Sequence, residues 1–449
     1  MRDQSHLQHS DEPAVHAARR ARVADIVGRD GVAMLAATPE RNRNNDVDYP
    51  YRPNSDFRYL TGFCEPEAIA VIAPGFEAGD YILFCRARNA DQEVWIGRRA
   101  GPDGAMADYG ADQAFAIDEF EDWIGRLLDG RCRVYLSFGT HPEFEQGVLD
   151  QLSGMRSQGR GGVPPREVVA LDGLLHDMRL RKSEHEVALM RQAAATSARA
   201  HIAAMQAVRP GMYEYQLAAT LHYTFENDGM HWAYPSIVGA GENACVLHYI
   251  ENSAPMADGD LVLIDAGAEY RGYAGDITRT FPVNGRFSDA QRELYEIVLA
   301  ANRAAIEAAR PGEPMNAIHQ AALKVLVAGL IDVGLLEGTV DEAIDAESYR
   351  AYFMHGTSHW LGMDVHDVGD YKVDGEWRLL EPGMALTVEP GLYVRGQDNP
   401  SSRFADIGIR VEDDIVITET GCDVLTVDVP KDVDEIEALM AKPYRSETP

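Results

Sequence analysis

The stretch DGDLVLIDAGAEYRGYAGDITRTFP, residues 258–282, places two aspartates, Asp265 and Asp276, at the ends of a segment that reads as strand, turn and strand. The run LVLI has the β-branched and aliphatic character of a buried strand, and it ends directly on an acid. A lone Asp or Glu is normally a solvated residue, but a carboxylate at the end of a buried strand needs a partner. A turn centred on Tyr270 and Arg271 sets Asp265 opposite Asp276 on one face, with Cβ atoms about 5 Å apart. That spacing suits one bound metal ion, or two held roughly 3.5 to 4 Å apart as in two-metal hydrolases.

Further along the chain the same pattern recurs. Glu389 ends the run MALTV before Pro390 and Gly391, Glu412 follows GIRV, and His359 lies in HGTSHW. Asp265, Asp276, His359, Glu389 and Glu412 together make four carboxylates and one imidazole, a donor set for two adjacent divalent ions. Without cations, acids packed this tightly would have to take up protons. Two dications against four carboxylates and a bridging hydroxide bring the cluster near neutrality, and such a hydroxide is the expected nucleophile. Mostly oxygen ligands with one imidazole point to manganese, with cobalt and zinc as alternatives.

An internal echo predicts a catalytic domain of two related halves. AVRPG at 207–211 matches AARPG at 308–312, each expected between two helices. DGDLVLIDAG at 258–267 matches EPGMALTVEPG at 381–391, with Gly259 and Gly383 each six residues before an acid. Each half would supply a second acid from its following strand, Asp276 or Glu412, so the metals would lie between two hairpins related by a pseudo-twofold axis.

A chain of 449 residues is too long for one ordinary core. The Gly-, Pro- and Ser-rich stretch between residues 153 and 165 reads as a linker, and Ser183 with Glu186 forms a capping box that starts a long helix. The expected division is residues 1–178 and 179–449. In the first part, the runs VAMLAA, AIAVIA, YILF and VYLSF alternate with helical stretches such as EFEDWIGRLL, which predicts a smaller α/β domain. The fold class expected for the whole chain is α+β. Trp95, in EVWIGRR, reads either as a core or hairpin residue or as one at a subunit or active-site edge.

The net charge of −31 argues against nucleic-acid binding. No apolar run could span a membrane and no leader segment stands out, so the expected compartment is the cytoplasm. Five cysteines, Cys64, Cys85, Cys132, Cys245 and Cys422, are scattered without metal or redox spacing. Zincin, serine-hydrolase, Rossmann and P-loop motifs are absent.

The residues also carry a resemblance. VLHYIEN around His248, the 258–282 stretch, HGTSHWLGMDVHDVG at 355–369, TVEPGLYV at 387–394 and GIRVEDDIVIT at 408–418 resemble the Xaa-Pro aminopeptidases (aminopeptidase P) of the pita-bread metallopeptidase fold. In the first part, YPYRPNSDFRYLTGF at 49–63 and EVWIGRRAG at 93–101 are similar to the same family, so the resemblance runs nearly end to end. Only the tail, Met1 to about Glu12, falls outside it and reads as a polar extension.

The resemblance implies that Asp276 and Glu412 bridge two metals, that Asp265 binds one, and that His359 and Glu389 bind the other. It implies catalytic roles for His248, His355, His366, Glu389 and Arg410, and a substrate-binding role for His355, Arg410 and Tyr393, with His355 and Tyr393 as walls of a proline pocket. The implied reaction is hydrolysis of the bond between an N-terminal residue and a proline in second position. The implied partners are such peptides and further copies of the chain in a homodimer or homotetramer. A prolidase acting on Xaa-Pro dipeptides uses the same ligands, although Trp360 after His359 looks more like the aminopeptidase branch. A metal-free pita-bread protein that only binds peptides would have lost ligands, and none is lost here.

Overall fold

The computed structural model describes residues 12–157, 162–399 and 401–442. The N-terminal extension before Glu12 and residues 158–161 of the expected linker lie outside them. The start of that expected linker is helical, because the helix Pro142–Ser157 runs on through Ser153 and Gly154. The chain forms two compact units, Met1–His176 and Asp177–Pro449.

The first unit is built on a six-stranded mixed sheet in the order Gln113–Ala116, Tyr81–Cys85, Ile69–Ile72, Gly31–Ala36, Arg133–Leu136, Glu167–Ala170. The four runs read as strands lie in it. The helix Phe120–Leu128 buries Phe120, Ile124, Leu127 and Leu128, a three-to-four spacing that lays one face on the sheet. Trp95 is not a core or hairpin residue: it sits on the short helix Ala90–Ile96, 85% exposed.

The second unit repeats one arrangement twice. Helices Glu184–Ala207 and Glu214–Asn227 precede the strands Ile237–Ala240, Leu261–Asp265 and Thr278–Pro282; helices Asp289–Ala308 and Asn316–Asp332 precede Ala385–Val388 and Asp413–Ile417. Each helix pair turns at its RPG sequence, where Gly211 and Gly312 both take positive φ, 88° and 87°. The first helix starts on the expected capping box: Ser183 N–H donates to the Glu186 carboxylate at 2.9 Å, and Glu186 N–H donates back to Ser183 Oγ. The result is a pita-bread domain with internal pseudo-twofold symmetry.

Two glycines explain how the quoted stretch folds. A Cβ on Gly267 would stand 1.6 Å from the Gly275 carbonyl oxygen, and one on Gly275 would press on Ser197 and on the backbone of Ala193 and Ala194. The hairpin therefore closes on itself and packs bare backbone against the helix Glu184–Ala207. Ser197 Oγ accepts the Ala268 N–H there, and Tyr273 hydroxyl donates to Glu186.

Candidate active site

In the first half, Leu261–Asp265 pairs with Thr278–Pro282 so that Asp265 faces Thr278, and beyond them Tyr270 faces Tyr273 across Arg271 and Gly272. The turn thus lies one residue later than expected. Arg271 has φ 50° and Gly272 φ 88°, the two positive values that a two-residue hairpin turn of the twist-matched kind requires. Centring the turn on Tyr270 would instead force a bulky aromatic into that region. Asp276 consequently lies diagonal to Asp265, on the same face, rather than opposite. In the second half, Val388 faces Asp413 and Gly391 faces Arg410, which sets Glu389 opposite Glu412.

The two halves meet at these acids. Glu412 N–H donates to Thr278 O at 3.0 Å, and Thr278 hydroxyl donates to Glu412 Oε2 at 2.6 Å. Asp276, His359 and Glu412 present ligand atoms that all lie within 4.8 Å of one another. Glu389 Oε1 stands 3.8 Å from His359 Nε2. Asp265 is tied to the group through Tyr234, whose hydroxyl lies 2.6 Å from Asp265 Oδ1 and also hydrogen-bonds Asp276. The structure therefore gathers all five residues singled out by sequence.

Electrostatics favour cations at this point. Burial, reinforced by Asp276, Glu389 and Asp265, pushes the Glu412 carboxyl well above the usual range. Burial raises Glu389 to about 7 despite His359, and raises Asp265 despite Arg410. Burial alone would raise Asp276 and lower His359, yet their mutual contact wins: Asp276 is held low, and His359 rises to about 9. Carboxylates that need protons to coexist, around an imidazole that becomes a cation, fit divalent ions by both charge and donor type.

The other histidines surround this group. His366 meets the His359 ring edge-on at 4.4 Å between centroids, and it is solvent-exposed. His248, also exposed, is near enough to act electrostatically on both His355 and His366. His355 Nε2 lies 2.9 Å from the Tyr393 hydroxyl, and burial with the nearby Arg410 lowers His355 to about 3. Arg410 is 3% exposed. It donates to Asp265 at 2.6 Å, to Thr278 at 3.0 Å and to Tyr393 at 3.0 Å. It therefore stands behind the acids and links both halves.

Sequence reasoning missed several contributors. Tyr234 bridges two acids from a segment with no pattern except an aromatic before Pro235. Asp414, 1% exposed, accepts the Asp276 N–H at 2.9 Å. Asp367, next to His366, is clamped by Arg179 at 2.5 Å and Lys182 at 2.9 Å.

A catalytic domain of two half-repeats, its acids gathered between them and preceded by a sheet-based unit, defines the class, and comparison with known proteins gives the family. Residues 188–419 match metallopeptidase family M24, and residues 16–135 match the aminopeptidase P N-terminal domain. The chain belongs to the M24 metallopeptidases, in the two-domain arrangement of aminopeptidase P. It is 46% identical to an Escherichia coli Xaa-Pro aminopeptidase over 94% of this chain and 96% of that protein. It is 53% identical to the Pseudomonas aeruginosa aminopeptidase PepP structure, with a TM-score of 0.94 over 96% of this chain and 98% of that one. A zinc-substituted E. coli aminopeptidase P in complex with product is 45% identical, with a TM-score of 0.93 over 96% of this chain and 98% of that one.

Proposed function

We propose that the protein removes the N-terminal residue from peptides whose second residue is proline. The observation that carries this reading is the Asp276–His359–Glu412 group, with Glu389 and Asp265 beside it, in a chain akin from end to end to Xaa-Pro aminopeptidases. Asp276, Glu412, Asp265, His359 and Glu389 would hold two divalent ions, with Asp276 and Glu412, the acids of the two halves whose ligand atoms group with that of His359, common to both. The preferred ion is manganese. The chemistry that two such ions supply is Lewis-acid polarisation of the scissile carbonyl and a lowered pKa for water.

The chain's own groups do the rest. Glu389 receives the proton lost by the attacking water and passes it toward the proline nitrogen, which carries no hydrogen of its own in the peptide. His248 and His366 donate to the developing oxyanion, which places them on the open side of the group. His355, backed by Tyr393 and Arg410, shapes the wall against the proline ring. A free α-amine fits the surplus of negative charge around the acids, which restricts cleavage to the first residue. Among the described residues no helix is long and apolar enough to cross a membrane. We assign the protein to the cytoplasm as a homodimer or homotetramer.

Manganese-loaded protein should cleave Ala-Pro-Ala faster than Ala-Pro, because binding energy from the third residue orients the scissile bond. It should cleave Ala-Ala-Ala little and acetylated Ala-Pro-Ala not at all, and chelation should abolish turnover until metal is restored. A clear preference for Ala-Pro would replace this reading with a prolidase.

A further inference from the structure

Glu214 opens the helix Glu214–Asn227 and is 0% exposed. Its carboxylate accepts four hydrogen bonds: Ala240 N–H at 2.9 Å and Asn243 Nδ2 at 3.0 Å on Oε1, Tyr249 hydroxyl and Ala254 N–H at 2.8 Å each on Oε2. These donors are all neutral. Burying an anion is costly unless its lone pairs are filled, and a carboxylate offers about four acceptor positions, so this one is saturated.

All four donors belong to one stretch, residues 240–254, which leaves the strand Ile237–Ala240 and carries His248. Asn252, in the left-handed region at φ 47°, fastens the same stretch to that strand, accepting Val238 N–H at 2.9 Å and donating to Ser236 O at 2.8 Å. The anchored residues flank an unburied middle, where Val246 is 52% exposed and Ile250 55% exposed. His248 thus projects from a segment held from beneath by the Glu214 carboxylate, which takes four of its donors, and pinned at its far end by Asn252.

We propose that Glu214 is a positioning residue for His248: it holds residues 240–254 so that the imidazole reaches the reacting carbonyl, without itself touching substrate. The proposal rests on the catalytic role given to His248 above. A carboxamide of the same shape cannot replace the carboxylate, because its NH2 group would face donors and leave buried N–H or O–H groups unpaired. A displacement of about 1 Å at a catalytic group can cost roughly 100-fold in rate.

The test uses the metal-loaded full chain and the variants Glu214→Gln, Tyr249→Phe, His248→Ala and Glu214→Gln/His248→Ala. Glu214→Gln should speed amide exchange in residues 241–254 and lower kcat by about 100-fold while metal content stays at wild-type stoichiometry. Tyr249→Phe, which removes one of the four bonds, should shift both in the same direction by less and serves if the first variant folds poorly. In the His248→Ala background the Glu214 change should add almost nothing, because coupled residues are not additive. Unchanged exchange in 241–254, or a full additional loss in the double variant, overturns the positioning role alone. Wild-type turnover in His248→Ala overturns the assignment of His248 and this proposal with it.

Discussion

Tyr234 shows how much a single hydroxyl can do at this site. Its O–H lies against one oxygen of Asp265 and one of Asp276, the two acids that the hairpin leaves diagonal to each other. A phenol shared by two carboxylates keeps them turned toward a common point and offsets part of their repulsion. Groups that orient metal ligands in this way typically contribute about 10- to 100-fold in metal affinity. Tyr234→Phe should therefore weaken divalent-ion binding by about that factor in calorimetric titration; an unchanged affinity would leave Tyr234 with no part in orienting the acids. Of the five residues read from the sequence, Asp265, Glu389 and Glu412 were legible because each ends or follows an apolar run, and Asp276 because it lies across a turn from Asp265. Tyr234 and Glu214 were not: Tyr234 lies 31 and 42 residues from the acids it joins, and only tertiary folding brings them together.

The hairpin at residues 268–274 decides where Asp276 stands, and two contacts decide the hairpin. Its turn needs positive φ at Arg271 and Gly272, while its base needs Gly267 to have no side chain. Setting the two aspartates directly opposite each other put the turn one residue early, because a pair diagonal across two strands shares a face as well and so leaves the position of the reversal open. Turn chemistry fixes that, through the residue that best tolerates the second positive φ. Gly267→Ala should lower the thermal midpoint markedly, since overpacking costs about 1–3 kcal/mol and here the obstacle is backbone. Gly147→Ala is the matched contrast: it lies within the helix Pro142–Ser157 with open space around its added methyl. That change should be neutral or stabilising by up to about 1 kcal/mol. Equal midpoints for the two variants would contradict this account of the hairpin.

Across the molecule, buried titratable groups set how stability depends on pH. Burial lowers His16, in the first unit, from 6.5 to about 3, with Arg19 adding to the effect. A histidine kept neutral by the fold is favoured above its unfolded pKa, so this contribution is complete above about pH 6.5. It declines as pH falls from there toward 3, because the unfolded chain takes up the proton first. Burial would raise Asp367 in the catalytic unit, but Lys182 and Arg179 outweigh it and hold the carboxyl low. Its contribution is complete above the unfolded value of about 3.9 and is lost as pH drops below that. Denaturant midpoints should therefore fall in two stages on acidification. His16→Asn should make the first stage shallower, with His201 and His355, also lowered by burial, keeping the remainder, and Asp367→Asn should do the same to the second, beyond whatever each costs at pH 7. A wild-type profile level from pH 7 to 4 would refute the first. Neither group was legible from sequence as withdrawn from water, since His16 lies beside Arg19, Arg20 and Arg22 on its helix and Asp367 among residues read for catalysis.

The division of the acids between two half-repeats also bears on how the protein is made. Asp265 and Asp276 leave the ribosome well before Glu389 and Glu412, and the hydrogen bonds between Thr278 and Glu412 cannot form until the later strand exists. A nascent chain that has finished its first unit and half of its second therefore holds paired aspartates but no complete ion site. With Glu412 as the proposed metal ligand, any product of premature termination before it would lack the means to cut, so incomplete synthesis would yield inert fragments rather than unregulated peptidases.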